Sequence, residues 1–231
     1  MPIAQNLERV RQQIADTCRR IRRGDRDVAL MAVSKTHSAE RIAEAYTAGQ
    51  RLFGENRVQE FEQKSGALAA MPDAIFHLIG PLQSNKTNKA AALFHAVDTV
   101  DSTRVAQRLN DAAAKLGKTL PVLIEIKTSE EASKSGMSAG STGLEELLEA
   151  LTSMRNLQAR GLMTVPPYAE DLEKVRPYFA RLRELRNTLT QHHPCLDLRE
   201  LSMGMSHDFT VAIEEGSTCV RIGTAIFGAR G

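Results

Sequence analysis

Lys35 closes the apolar run 27–35 (DVALMAVSK), in phase with Met31 and Val33 rather than with Leu30 and Ala32, so its amine shares a face with two hydrophobes. Desolvation disfavours an ammonium and yields the neutral nucleophile that forms an imine with a carbonyl. A lysine at a strand end can equally reach solvent along its methylene stem. Arg221 lies inside CVRIGTAIFG, where a guanidinium among apolar neighbours needs an acceptor. A carboxylate is the ordinary partner; the functional alternative is a heteroaromatic nitrogen of a bound cofactor. Ser202, Gly204 and Ser206 in SMGMS, together with Gly223-Thr224, offer hydroxyls and closely approachable backbone N–H groups, as a phosphate site requires. The same residues also serve as ordinary turns and helix caps. A lysine for an aldehyde, hydroxyls for a phosphate and an arginine for a ring nitrogen together describe pyridoxal 5′-phosphate.

These residues need a scaffold that brings both ends of the chain to one place. Leu7, Val10, Ile14, Cys18 and Ile21 form a leading helical stripe, which ends in Arg19, Arg20, Arg22 and Arg23 ahead of Gly24. Cations in a last turn complement the helix dipole, the ordinary reading of this cluster beside a nucleic-acid patch. Short apolar strands then alternate with helices about eight times, with no all-polar linker between units, which predicts an α/β fold with one (β/α)8 barrel, a TIM barrel, over residues 1–231. An open doubly wound sheet gives similar alternation. TCVRIGTAIFG (218–228) reads as a final strand with no helix after it, and the extra N-terminal helix is expected to fill the vacant slot in the outer ring. In such a barrel the strand carboxyl ends face the site, and here they are polar: Ser34-Lys35, Glu55-Asn56, the loop from Ser202 to Ser206, and Arg221 with Gly223-Thr224.

Thirty cations against 28 anions leave a net charge of +2, too balanced for binding driven by bulk positive charge, so no nucleic-acid partner is expected. A 42% hydrophobic, 25% charged composition without a low-complexity tract excludes disordered and collagen-like classes. Glu8, Arg9 and Arg11 interrupt any apolar leader, and no long uncharged stretch follows, so neither export nor membrane anchoring is expected. Cys18, Cys195 and Cys219 are scattered, without CxxC or Cys/His spacing, which predicts no disulfide framework, no metal site and a reducing, cytoplasmic compartment.

AVSKT (32–36), FGENRVQE (53–60), FHLIGPLQSNK (76–86), SKSGM (133–137), RGLMTVPP (160–167), LSMGMSHD (201–208) and VRIGTAIFGAR (220–230) occur in this order over nearly the whole chain. The sequence thereby resembles the pyridoxal phosphate homeostasis protein family, the YggS/PROSC type. The resemblance implies a fold-type III barrel like the N-terminal domain of alanine racemase and pyridoxal phosphate bound as an aldimine on Lys35. It further implies Arg221 at the pyridine nitrogen, phosphate contacts from Ser202, Ser206, Gly223 and Thr224, and a pocket lined by Asn56, His77 and Met163. Each of those three has an ordinary alternative, as a turn cap, a core histidine or core filling. Gln83 to Lys86 opens a helix and is a candidate anion or partner surface. Relatives often carry a lysine two residues after the key lysine; here His37 stands there.

Such proteins bind the cofactor without an established reaction. The implied role is a noncatalytic carrier or buffer of pyridoxal phosphate that acts indirectly on amino-acid pools, with cofactor-dependent apoenzymes as recipients and the chain as a monomer. An amino-acid racemase is the alternative, with Lys35 as one acid–base and Tyr168 as the candidate for the second. A Schiff-base aldolase would use Lys35 and leave Arg221 without a ring partner. Lys134 is the other lysine able to carry an aldehyde.

Overall fold

The computed structural model describes residues 2–129 and 135–228. Eight strands form the barrel: β1 Ala29–Val33, β2 Leu52–Glu55, β3 Ile75–Leu78, β4 Ala96–Val100, β5 Leu120–Lys127, β7 Leu157–Met163, β8 Glu200–Ser202 and β9 Cys219–Ile222. All neighbouring pairs are parallel, and pairing of β4 with β5 closes the ring opposite the β1–β9 seam. A two-residue strand, β6 (Met137–Ser138), adds to the far end of β5. The closed ring decides between barrel and open sheet.

Helices α2 (Ala39–Thr47), α3 (Val58–Ser65), α4 (Thr87–Leu93), α5 (Thr103–Lys115), α6 (Thr142–Ser153), α7 (Arg176–His192) and α8 (Phe209–Glu214) follow successive barrel strands. Their apolar stripes, such as Leu144, Leu147, Leu148 and Leu151 on α6, are buried in one core against the outward residues of the strands. Pro177 sits in the first turn of α7, where its missing N–H breaks no intrahelical bond. The segment after Gln83 starts as a single 3-10 turn, Ser84–Lys86, before α4 takes over.

The last strand differs from the expectation. TCVRIGTAIFG is not one strand: β9 ends at Ile222, and a single helical turn, α9 (Thr224–Phe227), follows Gly223. So short a helix leaves the outer ring thin, and the N-terminal helix α1 (Ile3–Arg20) packs on α8, α9 and α2, burying Ile3, Leu7, Val10, Ile14 and Cys18. Two of the arginines at and just beyond its end reach α8 or the segment after it. Arg19 pairs with Asp16, Arg20 with Glu214, and Arg23 donates to the Ser217 carbonyl at 2.7 Å.

Inside the ring the alternation of the strands places Met31, Val33, Leu123, Met163 and Cys219 together with His77, Asp98, Glu125, Ser202 and Arg221. This interior is charged as well as apolar. Among the described residues, no helix is long and apolar enough to cross a membrane, and no His/Cys/Asp/Glu cluster could hold a metal.

Candidate functional site

A cavity of about 560 Å³ opens at the carboxyl ends of the strands, a size suited to one small ligand. Lys35, Asn56, Ser206, Arg221, Gly223 and Thr224, six residues singled out from the sequence, line it together with Val33, Ile79, Gly80, Glu125, Met205 and His207.

Lys35 is half-buried just beyond β1, and its Nζ donates to Asn56 Oδ1 at 3.4 Å. Asn56 is held from behind by a close backbone contact. A Cβ on Gly80 would lie 2.2 Å from the Asn56 carbonyl oxygen, so only glycine lets the β3 loop approach the end of β2 this closely. The turn that carries Lys35 is itself strained and clamped: Thr36 has φ +66°, a left-handed conformation that is costly for a β-branched residue. Its N–H donates to Glu60 Oε1 at 2.5 Å, while Lys64 Nζ donates to the carbonyls of Ser34 and His37, both at 3.2 Å. Lys64 also pairs with Glu55 Oε1 at 2.8 Å, which accepts from Ser34 Oγ at 2.5 Å. Burial pushes the Glu55 carboxyl above the usual range, and the Lys64 charge opposes that shift. His37 stacks on Phe227 of α9, ring centroids 4.7 Å apart, so that position joins the two ends of the barrel seam.

Arg221 is 4% exposed. Its Nη1 donates to Ser202 Oγ and its Nη2 to the Thr164 carbonyl, both at 2.7 Å, and among the described residues no carboxylate is hydrogen-bonded to it. Burial lowers its pKa, opposed by nearby acids that include Asp98, Glu125 and Asp208. The guanidinium is thus fixed by neutral acceptors with one edge on the cavity.

Ser206 does not cap the helix that follows it in sequence. Its Oγ accepts from Gly223 N at 3.3 Å and Ala225 N at 3.4 Å, at the start of α9, while Asp208 Oδ1 accepts from Met205 N at 2.6 Å ahead of α8. A positive φ of 95° at Gly204 lets this loop fold onto α8; a Cβ there would sit 2.6 Å from that of Ala212. Hydroxyl and α9 amides thereby meet at one edge of the cavity, opposite in sequence to Lys35 but adjacent in space through the β1–β9 pairing.

Three expected residues lie elsewhere. Ser202 is completely buried, accepts from Arg221 and is not among the residues lining the cavity; it pairs with Cys219, one inward step below Arg221 on β9. Met163, paired with Ser202, is buried without lining the cavity. His77 is one inward step below Ile79 on β3, and its Nδ1 lies 3.1 Å from Asp98 Oδ1. Burial alone would lower its pKa, but the Asp98 charge and hydrogen bond outweigh burial and the net shift is upward. Lys134 lies outside the described residues. Tyr168 is 75% exposed, its ring 5.1 Å from that of His207, and it does not line the cavity.

Two further acids, Glu125 and Asp98, stand inside the ring where the sequence motifs gave no expectation of them. Glu125 is 7% exposed, lines the cavity, and its Oε2 has no hydrogen-bond partner. Burial, reinforced by Asp101 and opposed by Arg221, pushes its pKa up to about 7. The available signal was an acid on the inward phase of LPVLIEIKT, two residues after Leu123. An amine at one wall, a buried guanidinium, a hydroxyl with helix-start amides and an orphan carboxyl fit a small, phosphorylated, carbonyl-bearing heterocycle.

The alanine racemase N-terminal domain family matches residues 5–231. The pyridoxal phosphate homeostasis protein of Vibrio alginolyticus is 48% identical, the alignment covering 99% of this chain and 97% of that one. That of Escherichia coli is 44% identical, with the same coverage of 99% and 97%. PipY of Synechococcus elongatus, whose structure has PLP bound, superposes with a TM-score of 0.88 at 39% identity, over 98% of this chain and 100% of its own. Alanine racemase of Clostridium difficile shares the fold alone, with a TM-score of 0.75 at 15% identity over 99% of this chain and 57% of its own. The chain therefore belongs to the pyridoxal phosphate homeostasis protein family, built on the alanine racemase N-terminal barrel.

Proposed function

We propose that this chain binds pyridoxal 5′-phosphate in the barrel-mouth cavity and acts as a carrier or buffer for it in the cytoplasm, handing it to apoenzymes as a monomer. The observation that carries this reading is the convergence of Lys35, Arg221 and the Ser206–Gly223 edge on one cavity of about 560 Å³. When bound, the cofactor supplies a reactive aldehyde and an electron-accepting ring. Lys35 holds the aldehyde covalently, with Asn56 orienting its amine. Ser206, Gly223 and Thr224 hold the phosphate. Arg221 faces the ring nitrogen, and a fixed cation there keeps that nitrogen unprotonated and weakens the ring as an electron sink. That last feature favours holding over turnover. Ser202 contributes by fixing Arg221, and the free thiols of Cys18, Cys195 and Cys219 fit a reducing compartment.

The racemase reading gains no second acid–base in the cavity from Tyr168. The aldolase reading has no use for Arg221. The test is the absorption spectrum of the purified protein with pyridoxal phosphate, followed by borohydride reduction and peptide mapping. A visible band that reduction converts into a stable adduct on Lys35, together with recovery of activity when the loaded protein is mixed with a cofactor-free transaminase, supports the reading. No band, or an adduct on another lysine, overturns it.

A further inference from the structure

Glu125 was given no role in the proposed function, yet it is a buried carboxyl in the cavity wall. It projects from β5 on the inward phase, is 7% exposed, and keeps Oε2 without a hydrogen-bond partner while that side chain borders the space assigned to the ligand. A buried acceptor left unpaired is costly, whereas a protonated carboxyl becomes a donor that needs an acceptor. The charged groups around it divide in sign. Asp101, after β4, opposes its ionisation and Arg221, on β9, favours it. Lys35 and His207 border the same cavity from β1 and β8, and Asp98 lies deeper on β4, engaged with His77. An entering ligand that carries phosphate and other acceptor oxygens adds negative charge to this balance.

We propose that Glu125 is a further ligand-contacting residue that couples retention to proton uptake: protonated, it donates to an acceptor atom of the bound anion; ionised, it repels that anion and favours release. The inference rests on the proposed binding of pyridoxal phosphate in this cavity. Atoms balance simply, since the proton taken up by the Oε2 carboxylate on binding comes from water and returns there on release. With a carboxyl whose pKa already stands at about 7 before any ligand charge is added, the switch operates around neutral pH rather than in acid. A carrier of this kind holds its cargo more tightly on the acid side and loosens it as pH rises.

The test uses the full chain and a non-covalent probe, the phosphorylated pyridine that lacks the aldehyde (4′-deoxypyridoxine phosphate), alongside pyridoxal phosphate itself. Calorimetry in buffers of differing ionisation enthalpy counts the protons taken up. At pH 8 the unaltered protein is expected to take up up to about one proton more than Glu125→Gln on binding the probe. Its affinity should fall by up to about tenfold per pH unit above the midpoint, whereas that of Glu125→Gln stays flatter. Equal proton counts and parallel pH profiles in the two proteins overturn the proposal while leaving cofactor binding intact. Failure of the unaltered protein to bind either ligand at any pH overturns the proposed function instead. An independent readout needs no variant. In protein labelled at the glutamate carboxyl carbons, the Glu125 resonance should titrate at higher pH when the protein is saturated with probe, and an unchanged or lowered midpoint counts against the coupling.

Discussion

Lys64 Nζ lies 2.8 Å from Glu55 Oε1 and also bonds the carbonyls of Ser34 and His37, so one half-buried ammonium ties α3 and the end of β2 to the turn that presents Lys35. Glu55 is fully buried and its Oε2 has no partner. Removing the ammonium leaves a desolvated carboxyl and takes a donor from the His37 carbonyl, while the Ser34 carbonyl keeps the His37 N–H at 3.1 Å. Lys64→Met is expected to cost about 3 to 5 kcal/mol in urea denaturation. The pair Lys64→Met with Glu55→Leu should recover a large part of that loss, because it removes the uncompensated acid as well. A single-variant cost below about 1 kcal/mol would show that the clamp is solvated.

In the proposed reading Arg221 faces the ring nitrogen and limits the chemistry there. In heavy water with amino acids and pyridoxal phosphate, the unaltered protein should exchange its covalent partner with little deuterium entering the α-carbon and no change of handedness. Nuclear magnetic resonance and chiral chromatography read both. Sustained racemisation at enzyme-like rates, about 1 per second or faster, sinks the carrier reading. Arg221→Met should weaken retention of the cofactor at least tenfold by equilibrium dialysis, and it also strands Ser202 Oγ and the Thr164 carbonyl, at about 1 to 3 kcal/mol of stability.

The His77–Asp98 pair gives stability a definite pH dependence. The folded pKa of His77 stands above its ordinary 6.5, so this group's contribution is fully present below about pH 6.5 and is lost as pH rises through the folded value. Asp98→Asn removes the charge that raises it and leaves the burial that lowers it. Urea midpoints should therefore fall less between pH 6 and pH 8 in Asp98→Asn than in the unaltered protein, and the His77 ring resonances should titrate below 6.5 in the variant. A steeper fall in the variant contradicts the assignment.

Gly204 combines φ +95° with a Cβ site 2.6 Å from Ala212 Cβ and 3.0 Å from Phe209 Cα. Gly204→Ala should cost about 2 to 4 kcal/mol through backbone strain and overpacking. Because the Gly204 carbonyl accepts from Arg221 N at 2.9 Å, ligand retention should weaken with it. Thermal unfolding and dialysis of the same variant check the two effects.

Closure of the ring through β4 and β5 chose the barrel over an open sheet; the alternation of apolar strands and striped helices determined the parallel α/β class by itself, because a buried parallel strand and a half-buried helix have different periods that any chain carrying them must display. It also placed Lys35, Asn56, Ser206, Arg221, Gly223 and Thr224 at strand ends, and the closed ring brings all six to one cavity. Depth within the ring was a tertiary decision. Inward phase can be read from sequence, but the layer an inward residue occupies depends on strand register and tilt, which no local pattern records. Ser202 and His77 share the inward phase with cavity residues and sit one step lower, on Arg221 and Asp98. Glu125 has the same phase in a strand that reads as plain core and emerges at the cavity. The end of β9 was likewise decided in three dimensions. Gly223 permits either a continuing strand or a turn, and packing of α1 on α8 and α9 selects the turn that sets the Gly223 amide against Ser206.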